Sequence, residues 1–265
     1  MSNHLKRLVA PESWRIPKKA EKFVMKTAPG PHDAGGLPVG VWLREHIGIA
    51  QNASEARKIL HQRDVIVNGR PCRDIRIGLG VFDIVSIPRL GRHYRIQLDK
   101  RGNLISVEIP EESAKTRLCK IQNKTTIKGG KMQLNLAYGA NILADNTYRA
   151  KDSIVVTLGD PETGEGRFQI IDHFPFTEGN VAMVVGGKHS GKVGRIVEII
   201  KTAAPSRTAW SSWTTRPMRG LRPSRSTSSW SAVPGLHLNW RPPYERDERD
   251  LHRQDHRAHG CRRER

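Results

Sequence analysis

Short runs of alternating or β-branched apolar residues recur along the first 200 residues, and this pattern predicts a protein built mainly of short strands. Between Tyr94 and Val156 such runs are separated by turn residues, among them Gly129 and Gly130, and one run covers 132–136. Several short strands at this close spacing predict a small β-barrel or β-sandwich. The same region lacks a nucleophile, a base and an orienting residue in a catalytic arrangement.

The pattern between residues 39 and 88 differs, because two short helices precede the strands. The apolar spacing predicts a first helix that ends at Gly48. Asn52 is the predicted N-cap of a second helix, and Glu55 follows it three residues later, as in a capping box.

The second half of this block predicts a small sheet. A strand at 65–67 leads into Asn68 and Gly69, a dipeptide that is a strong signal for a tight hairpin. A further strand is predicted at 82–87. We therefore expect a small α+β module with basic residues along its edges.

The run of glycines and lysines at 181–200 admits two interpretations. Gly186, Gly191 and Lys192 have the spacing of a phosphate-binding loop, which would indicate a nucleotide-hydrolysing enzyme. That loop needs a Ser or Thr next, as a magnesium ligand, and it must open a helix. Val193 follows instead, at the start of a β-branched stretch. The favoured interpretation is a basic β-hairpin in an RNA-binding protein.

The charge supports a polyanionic partner. The chain has a formal net charge of +19, more than solubility requires. We expect residues 1–38 to form an extended basic arm and linker that lies along phosphates. The candidate contacts of this arm are Lys6, Arg7, Arg15, Lys18 and Lys19.

Other functions are disfavoured by the composition. Aromatic residues make up 6% of the chain, so large platforms for stacking unpaired bases are not expected. The three cysteines, Cys72, Cys119 and Cys261, are far apart and indicate neither a disulfide framework nor a metal knuckle. No apolar run approaches the ~20 residues of a membrane span. We expect a soluble cytoplasmic protein with no metal, cofactor, membrane or small-molecule substrate.

The composition changes after Lys201. Lysine, isoleucine and phenylalanine are absent from 202–265, where Trp, Ser, Arg and Pro dominate without a helical or strand period. Two interpretations remain open: a disordered Arg/Ser-rich arm, or the product of a frameshift. The frameshift is favoured, because codons permitted for this segment encode strand-like peptides in a neighbouring frame. A cluster with metal-ligand chemistry here is interpreted as coincidence; it comprises His252, Asp255, His256, His259 and Cys261.

The order of these segments resembles one protein family. The pieces ASEARKIL, VIVNGR and GVFDIVSIP resemble the S-four RNA-binding domain, and GGKHSGKVGRIVEI resembles a KOW motif. Together with HLKRLVAPESWRIPKK and GGKMQLNLAYG, they resemble the archaeal and eukaryotic type of small-subunit ribosomal protein S-four, most closely its archaeal members. The resemblance covers residues 1–201. Ala137 and Tyr138 depart from it, since members usually carry a polar pair there.

The resemblance implies an α+β multidomain fold. It comprises a basic arm and linker (1–38), a small α+β S-four RNA-binding domain (39–88), a central β domain (89–172) and an incomplete KOW (SH3-like) β-barrel (173–201), before the aberrant tail (202–265). It also implies a non-enzymatic constituent of the small ribosomal subunit, with ribosomal RNA and neighbouring ribosomal proteins as partners. The implied RNA contacts beyond the arm are Arg57, Lys58, Arg63, Arg70, Arg73, Lys188, His189, Lys192 and Arg195.

Two alternative functions remain at this point. One is an RNA-modifying enzyme that carries an S-four domain, although residues 90–170 are short and β-repetitive for a catalytic domain. The other is a transcription or translation factor that uses its KOW motif to bind a polymerase or a ribosome.

Overall fold

Short antiparallel strands dominate the computed structural model of the protein, which describes residues 4–32, 35–161, 163–187, 189–201, 211–214 and 230–232. These residues all lie in one compact unit, Met1–Gly235. In chain order the first strands are β1 (His4–Lys6), β2 (Phe23–Met25), β3 (Leu37–Pro38), β4 (Ile66–Val67), β5 (Arg70–Pro71), β6 (Gly78–Leu79), β7 (Ile84–Ile87), β8 (Arg92–Leu98) and β9 (Leu104–Ile109). They are followed by β10 (Thr116–Thr126), β11 (Met132–Leu136), β12 (Asn141–Ala144), β13 (Ser153–Thr157), β14 (Ile170–Phe174), β15 (Val181–Val184), β16 (Val193–Arg195), β17 (Glu198–Lys201), β18 (Ser211–Thr214) and β19 (Trp230–Ala232). The helices are α1 (Val39–Val41), which continues as a π-helix (Trp42–His46), α2 (Ala53–His61) and α3 (Glu111–Ala114).

The N-terminal segment is folded, which corrects the expectation of an extended arm. Strands β1 and β2 pair antiparallel and bring the two ends of the segment together. Between them Trp14 is fully buried, and its indole Nε1 donates a hydrogen bond to the carbonyl of Gly35 at 2.8 Å. The backbone carbonyl of Trp14 is in turn 2.9 Å from Nε2 of His46 on the π-helix. Burial of this large aromatic ring, with a partner for its N–H, stabilises a compact N-terminal segment.

The two predicted helices are confirmed. The first ends at His46, two residues before Gly48, whose φ of 75° is left-handed, as is common just after helix C-termini. The Asn52 side chain accepts a hydrogen bond from the backbone N–H of Glu55, and the Glu55 carboxylate accepts one from the N–H of Gln51. The first bond satisfies a backbone donor that the first turn of α2 leaves unpaired, and the second ties the residue before the cap to the helix, so the cap fixes where α2 begins.

A five-stranded antiparallel sheet in the order β5-β4-β7-β8-β9 extends across the predicted boundary at residue 88. The hairpin predicted at Asn68 and Gly69 is present between β4 and β5, with φ of 50° and 74° at the two turn residues. Strand β8, which the sequence assigned to the central β domain (89–172), pairs with β7 of the preceding segment (39–88). Thus the boundary between 88 and 89 falls inside a sheet.

The second five-stranded sheet has the order β12-β11-β10-β13-β14 and is antiparallel throughout. One face packs into a core of aliphatic side chains. Its buried members are Cys119, Ile121, Leu134, Leu136, Ala140, Ile142, Ile154 and Val156. The prediction that this region is built mainly of short strands is therefore confirmed.

A buried polar cluster around Asp83 connects the linker and both sheets. The carboxylate of Asp83 accepts hydrogen bonds from Arg117 on β10 at 2.5 Å, from Asn68 at 2.9 Å and from the backbone N–H of Gly80 at 2.8 Å. Nε2 of His32, in the linker, is 2.6 Å from the same carboxylate. Asp83 and Arg117 are 1% and 5% exposed, so these modules share one interior.

The C-terminal strands form two further small sheets, β16-β15-β19 and β17-β18. Strand β15 therefore has a partner on each side. Strands β18 and β19 correct, at these two places, the expectation that 202–265 carry no regular structure. Ladder hydrogen bonds use backbone groups, so polar sequences can supply an added strand. The remainder of the predicted tail lies outside the described residues.

Candidate nucleic-acid interface

The α2 region presents five basic side chains to solvent. The cap at Asn52 sets the phase of α2, so that Ala56 and Leu60 are buried while Arg57 and Lys58 lie on the outer face. Arg63, Arg70 and Arg73, in the segments that follow α2, are also exposed. None of the five has an ion pair to another described residue, so their charges are available to an anionic partner.

The N-terminal segment presents fewer basic side chains than its sequence predicts. Lys6, Arg15 and Lys19 are exposed, and Lys18 is half-buried with its Nζ donating to the carbonyl of Ala10. Arg7 differs from the prediction, because its side chain is buried.

The guanidinium of Arg7 is buried at 1% exposure and is directed into the protein. It lies 3.0 Å from the carboxylate of Glu45 and 3.6 Å from that of Glu21, and its Nε donates to the carbonyl of Pro17 at 2.6 Å. A guanidinium with this many acceptors is held in place and desolvated. Arg7 therefore anchors the N-terminal segment to the π-helix and is not a phosphate contact.

The glycine-rich run forms a basic hairpin. Val193 opens β16, which pairs antiparallel with β15, so the helix required by a phosphate-binding loop is replaced by a strand. Lys192 and Arg195 are exposed and His189 is half-buried, whereas Lys188 lies outside the described residues.

Gly191, in this hairpin, packs closely against another turn of the protein. Its φ is +82°, and a Cβ at this position would lie 1.9 Å from the backbone oxygen of Asp99, in the β8–β9 turn. A Cβ on Gly102 of the same turn would lie 3.1 Å from the Cβ of Ser190. The left-handed φ and the missing side chain of Gly191 therefore let two turns pack together.

This packing brings two further basic residues to the hairpin. Lys100 and Arg101, at the tip of the β8–β9 turn, are exposed and adjoin the turn that carries His189 and Lys192. The sequence places the two groups about 90 residues apart, and the pattern indicated only a turn at 100–102. Their proximity is a tertiary property of the fold.

In the described part of the chain, no group of three or more His, Cys, Asp or Glu side chains is arranged to hold a metal ion. The tail cluster His252, Asp255, His256, His259 and Cys261 lies outside that part. Among the described helices, none has both the length and the apolar character needed to cross a membrane.

Comparison with known proteins decides the family. The family model described as "Ribosomal family S4e" matches residues 90–163, and the "RS4NT (NUC023) domain" matches residues 1–34. The chain is 54% identical over 200 residues to "Small ribosomal subunit protein eS4" of Methanospirillum hungatei, which covers 76% of this chain and 81% of the relative. The chain belongs to the ribosomal S4e family.

Further S4e proteins agree with this result. A protein of the same name from Archaeoglobus fulgidus is 40% identical over 205 residues, covering 77% of this chain and 83% of the relative. The crystal structure of the 30S ribosomal protein S4e from Thermoplasma acidophilum has the same fold, with a TM-score of 0.51 at 22% identity over 66% of this chain and 87% of that one. The predicted family, its archaeal character and the expectation of a non-enzymatic protein are therefore confirmed.

Proposed function

We propose that the chain is a structural constituent of the small ribosomal subunit and that it binds ribosomal RNA through exposed lysine and arginine side chains. The observation that carries this proposal is the 54% identity to a small ribosomal subunit protein over most of both chains. The ribosome is accordingly the expected location, in the cytoplasm, and neighbouring ribosomal proteins are expected partners.

The surface chemistry is suited to RNA phosphates. Phosphate contacts supply much of the affinity in protein–nucleic acid complexes, and they position the protein without reading sequence. The proposed contacts form three groups. They are Lys6, Arg15, Lys18 and Lys19; Arg57, Lys58, Arg63, Arg70 and Arg73; and His189, Lys192 and Arg195 with Lys100 and Arg101. Lys188 remains a candidate from the sequence.

Charge-removal variants test the α2 group. We expect Arg57→Gln combined with Lys58→Gln to weaken binding of the full chain to a transcript of Methanospirillum hungatei small-subunit rRNA. The salt dependence of log K should fall by about 1 for each charge removed. Lys115→Gln is the control, because Lys115 is also exposed but its Nζ lies 3.8 Å from the carboxylate of Glu111. An unchanged salt slope in the double variant would exclude α2 from the RNA contact.

Cosedimentation tests the assignment as a constituent. A structural constituent is expected to remain with small subunits through a high-salt wash, while a transient factor is released. Release at high salt, or turnover of an RNA substrate, would overturn the proposal.

A further inference from the structure

The solvent face of β10, β11 and β12 carries mainly uncharged side chains that can form hydrogen bonds. The strand register places these side chains in two rows across the sheet. The first row is Asn123, Asn135 and Asn141, and the second is Thr125, Gln133 and Leu143. Asn123, Asn141 and Thr125 are exposed, and Leu143 is 57% exposed. We call these six residues the amide face.

A β-bulge creates this face. Ile121 pairs with Leu136 and Asn123 pairs with Asn135, so Gln122 is an extra residue in β10. In a regular strand, Ile121 and Asn123 would point to the same side, because side chains two apart share a face. The bulge keeps Ile121 in the core and directs Asn123 outward. Bulges commonly re-aim side chains in this way.

Internal hydrogen bonds orient the centre of the amide face. The amide nitrogen of Gln133 donates to the side-chain oxygen of Asn135 at 2.9 Å, and the amide nitrogen of Asn135 donates to the hydroxyl of Thr125 at 2.9 Å. Each amide has two N–H donors and an acceptor oxygen, so both retain capacity for an external partner. The side chains are ordered before any partner binds, which lowers the entropy cost of binding.

The β10–β11 turn adds positive charge beside this face. Lys128 and Lys131 are exposed and have no ion pair within the described residues. Gly129 and Gly130, between them, have open space around the positions of a Cβ. Asp145, at the end of β12, is the acidic residue near this end of the sheet.

We propose that the amide face lies against the minor groove of a double-stranded RNA segment, where its amides bind ribose 2′-hydroxyls while Lys128 and Lys131 contact the flanking phosphates. This inference rests on the proposed function. The 2′-hydroxyl is both donor and acceptor, as are these side chains, and the A-form minor groove is wide and shallow. Three strands span about 10 Å, so a sheet surface of this width can enter it.

The composition of the face favours duplex RNA over other occupants. Unpaired bases bind mainly by stacking on aromatic rings, and the six positions contain none. A protein interface has an apolar or aromatic centre, and Leu143 alone is apolar here. The neutral amides cannot neutralise phosphates, so their contribution should not depend on salt.

Binding to two matched duplexes tests the proposal. The probes are an RNA duplex of about 20 base pairs, longer than the roughly 16 base pairs that a double-stranded RNA-binding domain spans, and the same duplex with every 2′-hydroxyl methylated. Both have A-form geometry and equal charge. We expect the full chain to bind the unmodified duplex about tenfold more tightly. Gln133→Ala combined with Asn135→Ala should abolish that preference and leave binding to the methylated duplex unchanged.

Two control variants complete the experiment. Gln169→Ala removes an exposed amide outside the amide face and should preserve the preference. Lys128→Gln with Lys131→Gln should weaken binding to both duplexes and reduce the salt slope by about 2.

The possible outcomes separate this inference from the proposed function. If the amide variant keeps the preference for the unmodified duplex, the inference is overturned. If the variant binds both duplexes as the native chain does but incorporates poorly into subunits, the face contacts a protein and the inference is also overturned. In either case, binding of the native chain to small-subunit rRNA would leave the proposed function intact.

Discussion

At the scale of single residues, Asp83 illustrates how one side chain holds separate segments together. Burial alone would raise the pKa of Asp83, but the charge of Arg117 and the hydrogen bond from His32 more than offset it, so the pKa lies below its ordinary value. His32 also stacks beside Tyr138, with ring centroids 4.7 Å apart. The linker is therefore fixed by contacts to both sheets.

Removing one member of the buried ion pair should be costly. We expect Arg117→Met to lower the free energy of unfolding by about 3–5 kcal/mol, because it leaves the Asp83 carboxylate buried without its main counter-charge. Urea denaturation of the full chain measures this. Lys115→Met, which removes an exposed lysine two residues before Arg117 and outside β10, should cost less than about 0.5 kcal/mol. Equal effects of the two substitutions would contradict a structural role for the pair.

The lowered pKa of Lys120 predicts that the free energy of unfolding rises with pH in alkaline solution. Burial, and to a lesser extent the charge of Lys151, lower the pKa of Lys120 to about 8. In the unfolded chain its pKa is about 10.4. Between these values the unfolded state binds more protons, so stability increases with pH, while below about pH 8 the charged amine costs stability throughout.

The Lys120→Met variant isolates this effect. Its gain in the free energy of unfolding over the native chain should be larger at pH 7 than at pH 10, measured by urea denaturation at both. A difference independent of pH would contradict the lowered pKa.

At the scale of elements, turns decide how the strands are assembled. The Asn68–Gly69 turn contacts the central β region, because a Cβ on Gly69 would lie 2.8 Å from the carbonyl oxygen of Leu158. The β15–β16 hairpin contacts the β8–β9 turn through Gly191 in the same manner. These close backbone approaches help to set the relative positions of the basic groups.

Two glycine variants distinguish backbone strain from loss of this contact. Gly191→Ala and Gly179→Ala both place a side chain at left-handed φ, which costs roughly 1–2 kcal/mol. Gly179 has nothing within 4 Å of its Cβ position, whereas at Gly191 the Asp99 oxygen is 1.9 Å away. Of the two variants, we expect only Gly191→Ala to abolish hydrogen-exchange protection of the Val184 amide, which donates to the Lys192 carbonyl. Equal loss in both variants would show that strain, not the contact, is responsible.

At the scale of the whole molecule, the buried interior thins toward the C-terminus. In β7, Ile84 and Val85 are 1% and 0% exposed, within a five-stranded sheet. Among the described residues of 173–201, the buried apolar ones are Ala182, Met183, Val184 and Ile196. A smaller core predicts lower local stability.

Hydrogen exchange measures this gradient. We expect the amides of Val181–Val184 to exchange faster than those of Ile84–Ile87 in the full chain. Equal protection of the two strands would refute the prediction of lower local stability near the C-terminus.

The change of composition after Lys201 predicts a frameshift. We expect the ribosome-bound protein to have an intact mass different from the 29.8 kDa of the printed sequence. Sequencing the DNA around codon 202 identifies the cause. A mass that agrees with the printed sequence would support the alternative, an Arg/Ser-rich arm.

The sequence by itself determined the features that depend on neighbouring residues: the helix end at Gly48, the cap at Asn52, the hairpin at Asn68 and Gly69, and the order of segments that identifies the family. Helix periods, caps and tight turns need partners only a few residues away. The tertiary structure decided which charges remain exposed. Arg7 meets Glu45 across 38 residues and Asp83 meets Arg117 across 34, and burial at such distances follows from packing rather than local pattern. For the same reason, only the fold shows that Gly191 contacts the backbone of Asp99 and that a bulge directs the amide face outward.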